Sequence, residues 1–534
     1  MPTEPNKPLI LASLLLAAFM ISLDTTIVNV ALPTLVRELR ASTIQLEWIV
    51  DAYNLTFAAF VLAAGNFGDR VGRKGVLLVG LSVFGAASLA GGLGNSAGEL
   101  IAARAVMGVG AALIFPATLS LLSNVFTERR ERARAIGLWG ASAGVGIAVG
   151  PIAGGWLLER FDWSSVFIAL VPFAALTAAL VSRTVPTSRD PQAPPADRLG
   201  LVLSSAAMAA LIYTIIEAPN QGWASGRTLG GFAVAAVLFV AFIAQERQAR
   251  APMLDVALFR NRRFSAASAA VTITFFSLMG FIFLITLYFQ FLKGYAPLST
   301  GVRLLPVATT VGITSVLGTR LAVRSGTKLV VAAGLVSLAA GLAWAATNST
   351  STSYLTIAGA MILIGSGIGL TGAPATESIM GAVPAAKAGV GSAVNDATRI
   401  LGGTLGVAVI GSIYASIYSS RLIDSLPDQL PASIADSSER SVGTAFAAAA
   451  QLDAAGRPTL GHALHDAAST AFFDGFRTAV LVAAAIALGG AVMAAVLIPN
   501  QPPGASATAE SDAERTRRAD ARTGDGFAYD DVVR

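Results

Sequence analysis

The segment GLWGASAGVGIAVGPIAGG, residues 137–155, lies within one of the many long apolar stretches of this chain. Because Gly146, Gly150 and Gly154 are four residues apart, a helix places them on one face. Such a face lets a second helix approach closely inside a lipid bilayer. Pro151 has no N–H and its ring meets the carbonyl four residues earlier, which predicts a bend in the helix.

Two interpretations of this glycine face (Gly146, Gly150 and Gly154) are open from the residues alone. It can serve static helix packing, or it can belong to a protein that alternates between two packed arrangements. Gly140 is expected to extend the same face toward the start of the helix. The segment lies in the fifth predicted span, directly after a basic loop. This place in the chain favours the second interpretation, in which the glycine face lies between two halves of the molecule.

The composition predicts a helical membrane protein with many spans. Hydrophobic residues make up 54% of the 534 residues and charged residues 13%, about half the share usual in soluble domains. Apolar stretches long enough to cross a bilayer as helices recur along the sequence, and the short alternating strands of a membrane β-barrel do not. Cysteine is absent, which excludes disulfides and thiol chemistry. The net charge of +5 does not indicate nucleic-acid binding, because the basic residues follow topology.

Fourteen transmembrane helices are predicted, and the first is expected to be retained rather than cleaved as a signal peptide. Lysine and arginine concentrate in alternate loops, so the positive-inside rule places both termini in the cytoplasm. The predicted spans are residues 9–31, 46–66, 75–94, 100–122, 134–157, 163–182, 199–217, 229–245, 264–291, 300–319, 328–347, 354–378, 394–418 and 475–498.

An internal repeat predicts two six-helix bundles. RVGRK at 70–74 follows span two, and RSGTK at 324–328 follows span ten with the same Arg-x-Gly-x-Lys spacing. Asp69 precedes the first copy, whereas Val323 stands at that position in the second. Both copies lie on the cytoplasmic side, so the repeats are parallel. The predicted domains are a first bundle at 1–184, two inserted helices at 185–262, a second bundle at 263–498 with an outer loop at 419–474, and a disordered cytoplasmic tail at 499–534.

Several motifs occur in order along the chain. They are LDTTIVNVALP (23–33), GNFGDRVGRK (65–74), RAVMGVG (104–110), the span-five pattern of Gly137, Gly146, Gly150, Pro151, Gly154 and Gly155, YFQFLKGYAPLSTGVRLLP (288–306), and NDATR (395–399). Together these motifs resemble the fourteen-helix drug:proton antiporter branch of the major facilitator superfamily, in which the span-five pattern is that of the antiporter-type helix. One departure is DWS at 162–164, where members of the family often carry Trp-Arg-Trp.

The resemblance implies an all-α fold of two six-helix bundles plus two inserted helices. It implies proton-coupled efflux of amphiphilic, cationic or antibiotic-like compounds across the bacterial inner membrane, by alternating access of a monomer. The expected partners are such small molecules, protons and membrane lipid, with no nucleic acid. The proton gradient would supply the energy without a cofactor, and the chain lacks the G-x-x-x-x-G-K-[ST] loop of an ATP-driven pump.

Other functions stay open at this point. The protein could export one endogenous metabolite or antibiotic, or take up a solute with protons, although the antiporter-type helix argues against uptake. A membrane enzyme would need a cluster of histidine, cysteine and carboxylate side chains, which the sequence does not offer. A receptor or channel would not need paired acidic and arginine sites.

Two charged residues inside predicted spans are candidates for coupling proton movement to transport. Asp24 lies within span one, where an acid is costly unless it faces a cavity or a partner. A buried carboxyl that binds and releases a proton could exchange it for a cationic substrate. The alternative is a structural acid bonded to Thr25 or to a neighbouring helix. Arg104, at the start of span four, either pairs with a membrane acid or extends to the lipid headgroups.

Asp51 and Glu217 are further candidates for a proton or cation site. Asp51 lies early in span two, toward the outside, and Glu217 ends span seven. For Glu217, a plain position at the membrane interface is an equally good interpretation. The resemblance assigns coupling or substrate binding to Asp24 first.

The loop after span two is predicted to gate the inner side. Asp69 can bind the N-terminus of a neighbouring helix or an arginine, and the basic residues can bind carbonyls and lipid phosphates. The alternative is a role in topology alone. The gating residues are Gly65, Asp69, Arg70, Gly72, Arg73 and Lys74.

Near the inner ends of spans twelve and thirteen, Glu377, Asp396 and Arg399 cluster in the sequence. Asp396 and Arg399 are three residues apart and can pair on one helix face. That pair is either a conformational latch or plain structure. In the outer loop, His462 and His465 favour a solvated helix face over a metal site, so no metal is expected.

Overall fold

The computed structural model describes residues 6–39, 43–189, 197–249, 252, 254, 256–384, 387–426, 430–440 and 442–499. The predicted disordered tail lies outside these residues, apart from Pro499. Within them, the regular structure is helical, as the composition predicts.

Eighteen α-helices are described, together with a 3₁₀ turn at Val256–Arg260 and a π-helical turn at Tyr288–Leu292. The first seven are α1 Lys7–Glu38, α2 Thr43–Val71, α3 Arg73–Leu93, α4 Ala97–Val125, α5 Arg129–Leu158, α6 Ser165–Ile168 and α7 Leu170–Thr184. The next four are α8 Arg198–Gln221, α9 Gly226–Gln248, α10 Arg262–Leu287 and α11 Pro297–Arg303. The last seven are α12 Leu305–Ser325, α13 Thr327–Ala345, α14 Tyr354–Gly381, α15 Ala388–Ile423, α16 Ala432–Arg440, α17 Val442–Ala454 and α18 Pro458–Leu497.

Fourteen helical segments of the described chain are long and apolar enough to cross a membrane, which confirms the predicted number. Two of them run well past their predicted ends. Helix α15 covers 36 residues and exceeds its predicted span at both ends, and α18 covers 40 residues and begins well before its predicted start. At 1.5 Å per residue, such helices are about 55–60 Å long, roughly twice the hydrocarbon thickness of a bilayer.

The helices pack in two groups and one pair. In the first half, α1 packs on α5, and α4 lies between α2 and α3. In the second half, α10 packs on α15, and α14 lies between α12 and α13. The halves meet along α5–α12 and α2–α15. Helices α8 and α9 pack on each other, and α8 contacts α2 and α15. The residue boundaries of the three predicted units stay predictions.

The segment 419–474, which the sequence predicts as an outer loop, is largely helical. It contains the end of α15, all of α16 and α17, and the start of α18. These helices bury a small apolar core of their own, made of Ala448, Ala449, Leu452 and Leu464. His465 stacks on Phe446 with 4.5 Å between ring centroids, which gives this histidine a packing role.

Candidate functional site

Asp24 on α1 and Arg104 on α4 form a buried ion pair. Nη1 of Arg104 lies 2.9 Å from both Oδ1 and Oδ2 of Asp24. Asp24 is 0% exposed and Arg104 is 1% exposed. Asp24 lies 17 residues beyond the start of α1, which is about 25 Å along the helix. Of the two positions that the sequence allowed for Arg104, beside an acid or among the lipid headgroups, the structure shows the first.

The remaining surroundings of Arg104 also suit a cation. Its Nε donates to the carbonyl oxygen of Ile49 at 3.0 Å, and its guanidinium carbon lies 4.3 Å from the ring centroid of Tyr53. A carboxylate, a carbonyl and an aromatic face each stabilise a guanidinium ion. Anything that neutralises Asp24 therefore weakens one support of Arg104 and leaves the carbonyl of Ile49 and the ring of Tyr53 in place.

Asp51 and Glu217 are the other two acids predicted to bind a proton or a cation. Asp51 is half-buried on α2, two residues beyond Ile49. Glu217 accepts a hydrogen bond from Nε2 of Gln221 at 3.2 Å. It does not end its helix, since α8 continues to Gln221. Their proton-binding role stays a prediction.

The glycine face of α5 packs against α1 around Asp24. A Cβ on Gly146 would lie 2.6 Å from the carbonyl oxygen of Phe19, and one on Gly154 would lie 3.1 Å from that of Ile27. A Cβ on Gly150 would overlap Oγ1 of Thr26. The expectation that this face lies between the halves is wrong, because it packs inside the first half. It serves the close approach of α5 to the helix that carries Asp24.

Pro151 interrupts the hydrogen bonds of α5 without ending the helix, which runs on to Leu158. The carbonyl of Ile147 loses its normal donor, because proline has no N–H. Oγ1 of Thr26 donates to that carbonyl at 3.1 Å. Helix α1 thus replaces the missing hydrogen bond two residues after Asp24.

A different set of glycines on α5 faces the second half. A Cβ on Gly137 would lie 2.7 Å from Oγ1 of Thr319, and one on Gly155 would lie 2.9 Å from Cδ1 of Leu298. Gly140 lies on this side as well, since a Cβ on it would lie 3.5 Å from Oγ of Ser315, so it does not extend the glycine face. Helix α5 therefore touches α1 on one side and the other half on the opposite side.

We call the side that carries residues 70–74 the inner side, since the positive-inside rule predicts that it faces the cytoplasm. Here Asp69 joins the two halves. Its Oδ1 accepts hydrogen bonds from Nε of Arg73 at 2.7 Å and from the backbone N–H of Gly389 at 2.9 Å. Its Oδ2 accepts from the backbone N–H of Val390 at 3.2 Å. Both suggested partners, an arginine and a helix N-terminus, are present, and the helix is α15 of the other half.

Glycine makes this inner junction (Asp69, Arg73, Gly389 and Val390) possible. A Cβ on Gly65 would lie 2.5 Å from Cβ of Ala393, so α2 and α15 approach through a missing side chain. Gly72 has φ +125°, a left-handed conformation that other residues rarely adopt.

The basic residues of the gating loop bind the last turn of α7 and the chain that follows it. Nη1 of Arg73 donates to Oγ of Ser188 at 2.9 Å, and Nζ of Lys74 donates to the carbonyl of Ser182 at 2.8 Å. Arg70 lies half-buried near the end of α2. These contacts bind the loop to its own half, whereas Asp69 reaches across to the other.

A second inner contact crosses between the halves at Glu377 on α14. Its Oε1 lies 3.6 Å from Nη2 of Arg132 on α5, and its Oε2 lies 3.5 Å from Nη2 of Arg263 on α10. Sequence reasoning noted this acid but not its partners. Lone acids inside predicted spans are the signal that could have singled it out for such a bridge.

Asp396 and Arg399 do not form the pair that their spacing predicts. Among the described residues, no ion pair within 4.0 Å involves either side chain. Arg399 instead donates from Nη2 to Oγ1 of Thr376 at 3.2 Å and lies 4.6 Å from the ring centroid of Trp139. Attraction to an aromatic face and a hydroxyl holds the arginine away from the acid.

These features define a class of protein: two helical halves, joined on the inner side, with a buried acid–arginine pair inside the membrane-spanning region. Comparison with known proteins gives the family. The model of the Major Facilitator Superfamily matches residues 14–407. The chain belongs to this superfamily of multi-pass membrane transport proteins.

Relatives of similar length carry names of resistance and efflux proteins. The chain is 38% identical over 400 residues to the multidrug resistance protein Stp of Mycobacterium tuberculosis, which covers 75% of this chain and 74% of Stp. It is 34% identical over 486 residues to the multidrug efflux pump LfrA of Mycolicibacterium smegmatis, which covers 91% and 95%. It is also 34% identical to the tetracenomycin C resistance and export protein of Streptomyces glaucescens, over 76% and 75%.

Solved structures of the same superfamily share the fold. The human organic anion transporter MFSD10 (TETRAN) superposes with a TM-score of 0.59, at 12% identity, over 92% of this chain and 100% of that one. The proton:xylose symporter XylE bound to 6-bromo-6-deoxy-D-glucose gives 0.60, at 12% identity, over 92% and 96%. At this identity the likeness concerns the fold alone.

Proposed function

We propose that this protein exports amphiphilic, mainly cationic drugs or antibiotics in exchange for protons, as a monomer in the bacterial cytoplasmic membrane with both termini inside. The observation that carries the proposal is the buried Asp24–Arg104 pair in a chain whose relatives are named efflux and resistance proteins. The proton gradient would provide the energy, since one charge moved down 100 mV yields about 2.3 kcal/mol.

Exchange follows from competition for one carboxylate. Asp24 can hold Arg104, a proton or a substrate cation, and each occupant weakens the binding of the others. Protonation removes the attraction to Arg104, whose remaining supports are the carbonyl of Ile49 and the ring of Tyr53. A cationic substrate and a proton that bind in turn to Asp24 therefore move in opposite directions.

The same contacts can pass this change to the rest of the molecule. Asp24 lies within the two turns of α1 that pack on the glycine face of α5. The opposite side of α5 contacts α12 and α11 of the second half through Gly137 and Gly155. A shift of α1 on protonation would move α5, and α5 would move against the second half as a rigid element. The inner junction at Asp69 would then break and reform in each cycle.

Reconstitution tests the exchange directly. Proteoliposomes with an imposed pH gradient should show accumulation of the fluorescent cation ethidium that an uncoupler abolishes. Adding ethidium without a pH gradient should drive a proton flux of opposite direction. Ethidium transport without any proton flux would reject the exchange, and neither flux would reject transport of this cation.

A second candidate function is the export of a single endogenous antibiotic. The relative named for tetracenomycin C resistance and export supports it. A susceptibility and efflux panel in a host that lacks its own pumps separates the two. Protection against several unrelated cations supports broad export, and protection against one compound supports a dedicated exporter.

A further inference from the structure

The second half contains a buried polar cluster that the proposed exchange at Asp24 does not use. We call Thr376, Asn395, Asp396 and Arg399 the second-half cluster. Arg399 donates to Thr376, whose Oγ1 donates in turn to Oδ1 of Asn395 at 2.9 Å. Nδ2 of Asn395 then donates to Oδ1 of Asp396 at 3.1 Å. The chain of hydrogen bonds runs from a cation to an acid through two neutral groups.

The carboxyl of Asp396 is poorly solvated for a charged group. The residue is 1% exposed, and its Oδ2 is a buried atom without a hydrogen-bond partner in the described structure. Asn395 supplies the single neutral donor to the other oxygen. A buried carboxylate needs a cation or several donors, and a group without them binds a proton instead. This arrangement suits the neutral acid.

The arginine that could pair with Asp396 is held by the other half. Trp139 belongs to α5, and its ring centroid lies 4.6 Å from the guanidinium carbon of Arg399. The ring centroid of Phe275 on α10 lies 5.0 Å from the same guanidinium carbon. Trp139 is fixed in turn, because its Nε1 donates to Oγ1 of Thr118 at 3.1 Å. Arg399 therefore stays on Trp139 as long as the halves are joined here.

Other charges near the cluster are few. Helices α4, α16 and α18 carry their charged residues toward the outer side. Toward the inner side, Glu377 contacts Arg132 and Arg263, and Asp69 contacts the start of α15. The charged residues on the inner parts of the helices that pack on α15 are Asp69, Arg70, Arg198, Arg262, Arg263 and Glu377.

We propose that Asp396 is a second proton-binding site, which holds a proton while Trp139 holds Arg399 and releases it when the halves separate on the inner side. Separation removes Trp139 from Arg399 and leaves its contacts with Thr376 and Phe275 of its own half. The guanidinium can then reach the carboxylate three residues before it on the same helix face. The O–H bond of Asp396 breaks, the proton passes to water on the inner side, and the ion pair with Arg399 forms. Asp396 lies eight residues into α15, about 12 Å from its inner end.

This inference rests on the proposed proton-coupled export and adds a second proton to it. The test counts the protons released when ethidium binds to the purified transporter, with a pH-sensitive dye in weakly buffered detergent solution. Both Asp24→Asn and Asp396→Asn should lower the count by about one proton per ethidium, and the double variant should release none. Asp396→Glu should restore the count. Asp466→Asn removes a carboxylate from the exposed surface of α18 and should leave the count unchanged.

The outcomes separate this inference from the proposed function. If the wild type releases no proton, the exchange itself fails. If Asp24→Asn lowers the count and Asp396→Asn does not, the exchange stands and the second site is rejected. Should Asp396→Asn not purify as a folded protein, Arg399→Gln provides the same test with the acid present. Without the cation that replaces its proton, Asp396 should stay protonated and the count should again fall by about one. An unchanged count rejects the site.

Infrared spectra give a reading that a purely structural role would not change. The C=O stretch of a neutral carboxylic acid should be present in wild type at neutral pH and lose intensity in Asp396→Asn. A band of equal intensity in wild type and Asp396→Asn would contradict the inference.

Discussion

Each half of the molecule buries an aspartate and an arginine, and the two pairs are satisfied differently. Asp24 and Arg104 sit on different helices and meet at 2.9 Å. Asp396 and Arg399 share one helix, yet the arginine turns to a tryptophan of the opposite half. The first pair is complete within its own half. The acid and the arginine of the second pair can meet only when the halves move. The first pair would therefore bind the exchanged proton, and the second would link proton binding to the movement of the halves.

The helix packing beneath the two pairs is nevertheless alike. In the first half, Gly150 of α5 meets α1 at Thr26. In the second, a Cβ on Gly402 or Gly406 of α15 would overlap the carbonyl oxygens of Thr272 and Phe276 on α10. The two copies of the repeat thus share close helix packing. They differ after span ten, where the second copy has Val323 at the position of Asp69 in the first.

The largest effect is expected from Asp24→Asn, which should abolish proton-driven ethidium efflux. Asparagine neither binds and releases a proton nor attracts a cation. Asp396→Asn should keep part of the efflux, because Asp24 remains. The measurement is initial efflux rate at equal expression, with Asp466→Asn as the control. An Asp24→Asn variant that transports at the wild-type rate would remove Asp24 from its role.

The next largest effect is expected from a leucine at either of the two close glycine contacts, α5–α1 or α15–α10. Gly150→Leu should block efflux while membrane insertion stays normal, because the side chain would push α1 away from α5. Gly406→Leu should do the same to α10 and α15. Gly230→Leu on α9, where a Cβ meets nothing within 4 Å, is the matched control. Efflux through Gly150→Leu at the rate of this control would show that close packing is dispensable.

Thermal unfolding should distinguish the two arginines. Arg104→Gln leaves a buried carboxylate unpaired, which should cost about 3–5 kcal/mol and lower Tm markedly. Asp24→Asn with Arg104→Gln should recover much of that loss, since no charge remains. Arg399→Gln should cost less, because that arginine has no carboxylate partner here. Equal losses for the two single variants would erase the distinction between the pairs.

The smallest effect concerns the inner junction. Asp69→Asn weakens charged hydrogen bonds worth about 1.5 kcal/mol or more, so exposure of the inner end of α15 should rise about tenfold. The chain has no cysteine, so Ser392→Cys, at a 0% exposed position, gives a unique reporter thiol. The rate of maleimide labelling of this thiol from the inner side measures the exposure of α15, with Asp466→Asn as the control background. Equal labelling in both backgrounds would show that Asp69 does not hold the halves together.

The sequence predicted the spans better than the segments between them. Fourteen spans were identifiable because each is a local run of apolar residues with the length of a bilayer. The helices at 419–474 were missed, because outside lipid that segment has ordinary polarity and its small core becomes evident only after folding. The glycine face was identified correctly and given the wrong neighbour, since spacing along one helix cannot say which helix it meets.

What the sequence by itself determined is the class of protein: the helical spans, the parallel repeat and the charged residues inside the membrane. These follow from hydrophobicity, spacing and charge, which are properties of short stretches. Only the tertiary structure decided the partners. Asp24 meets an arginine 80 residues away, Asp69 reaches an N–H group 320 residues away, and Arg399 contacts a tryptophan of the other half instead of the acid three residues before it. Contacts between distant segments depend on how whole helices pack, so they are fixed by the fold and not by local spacing.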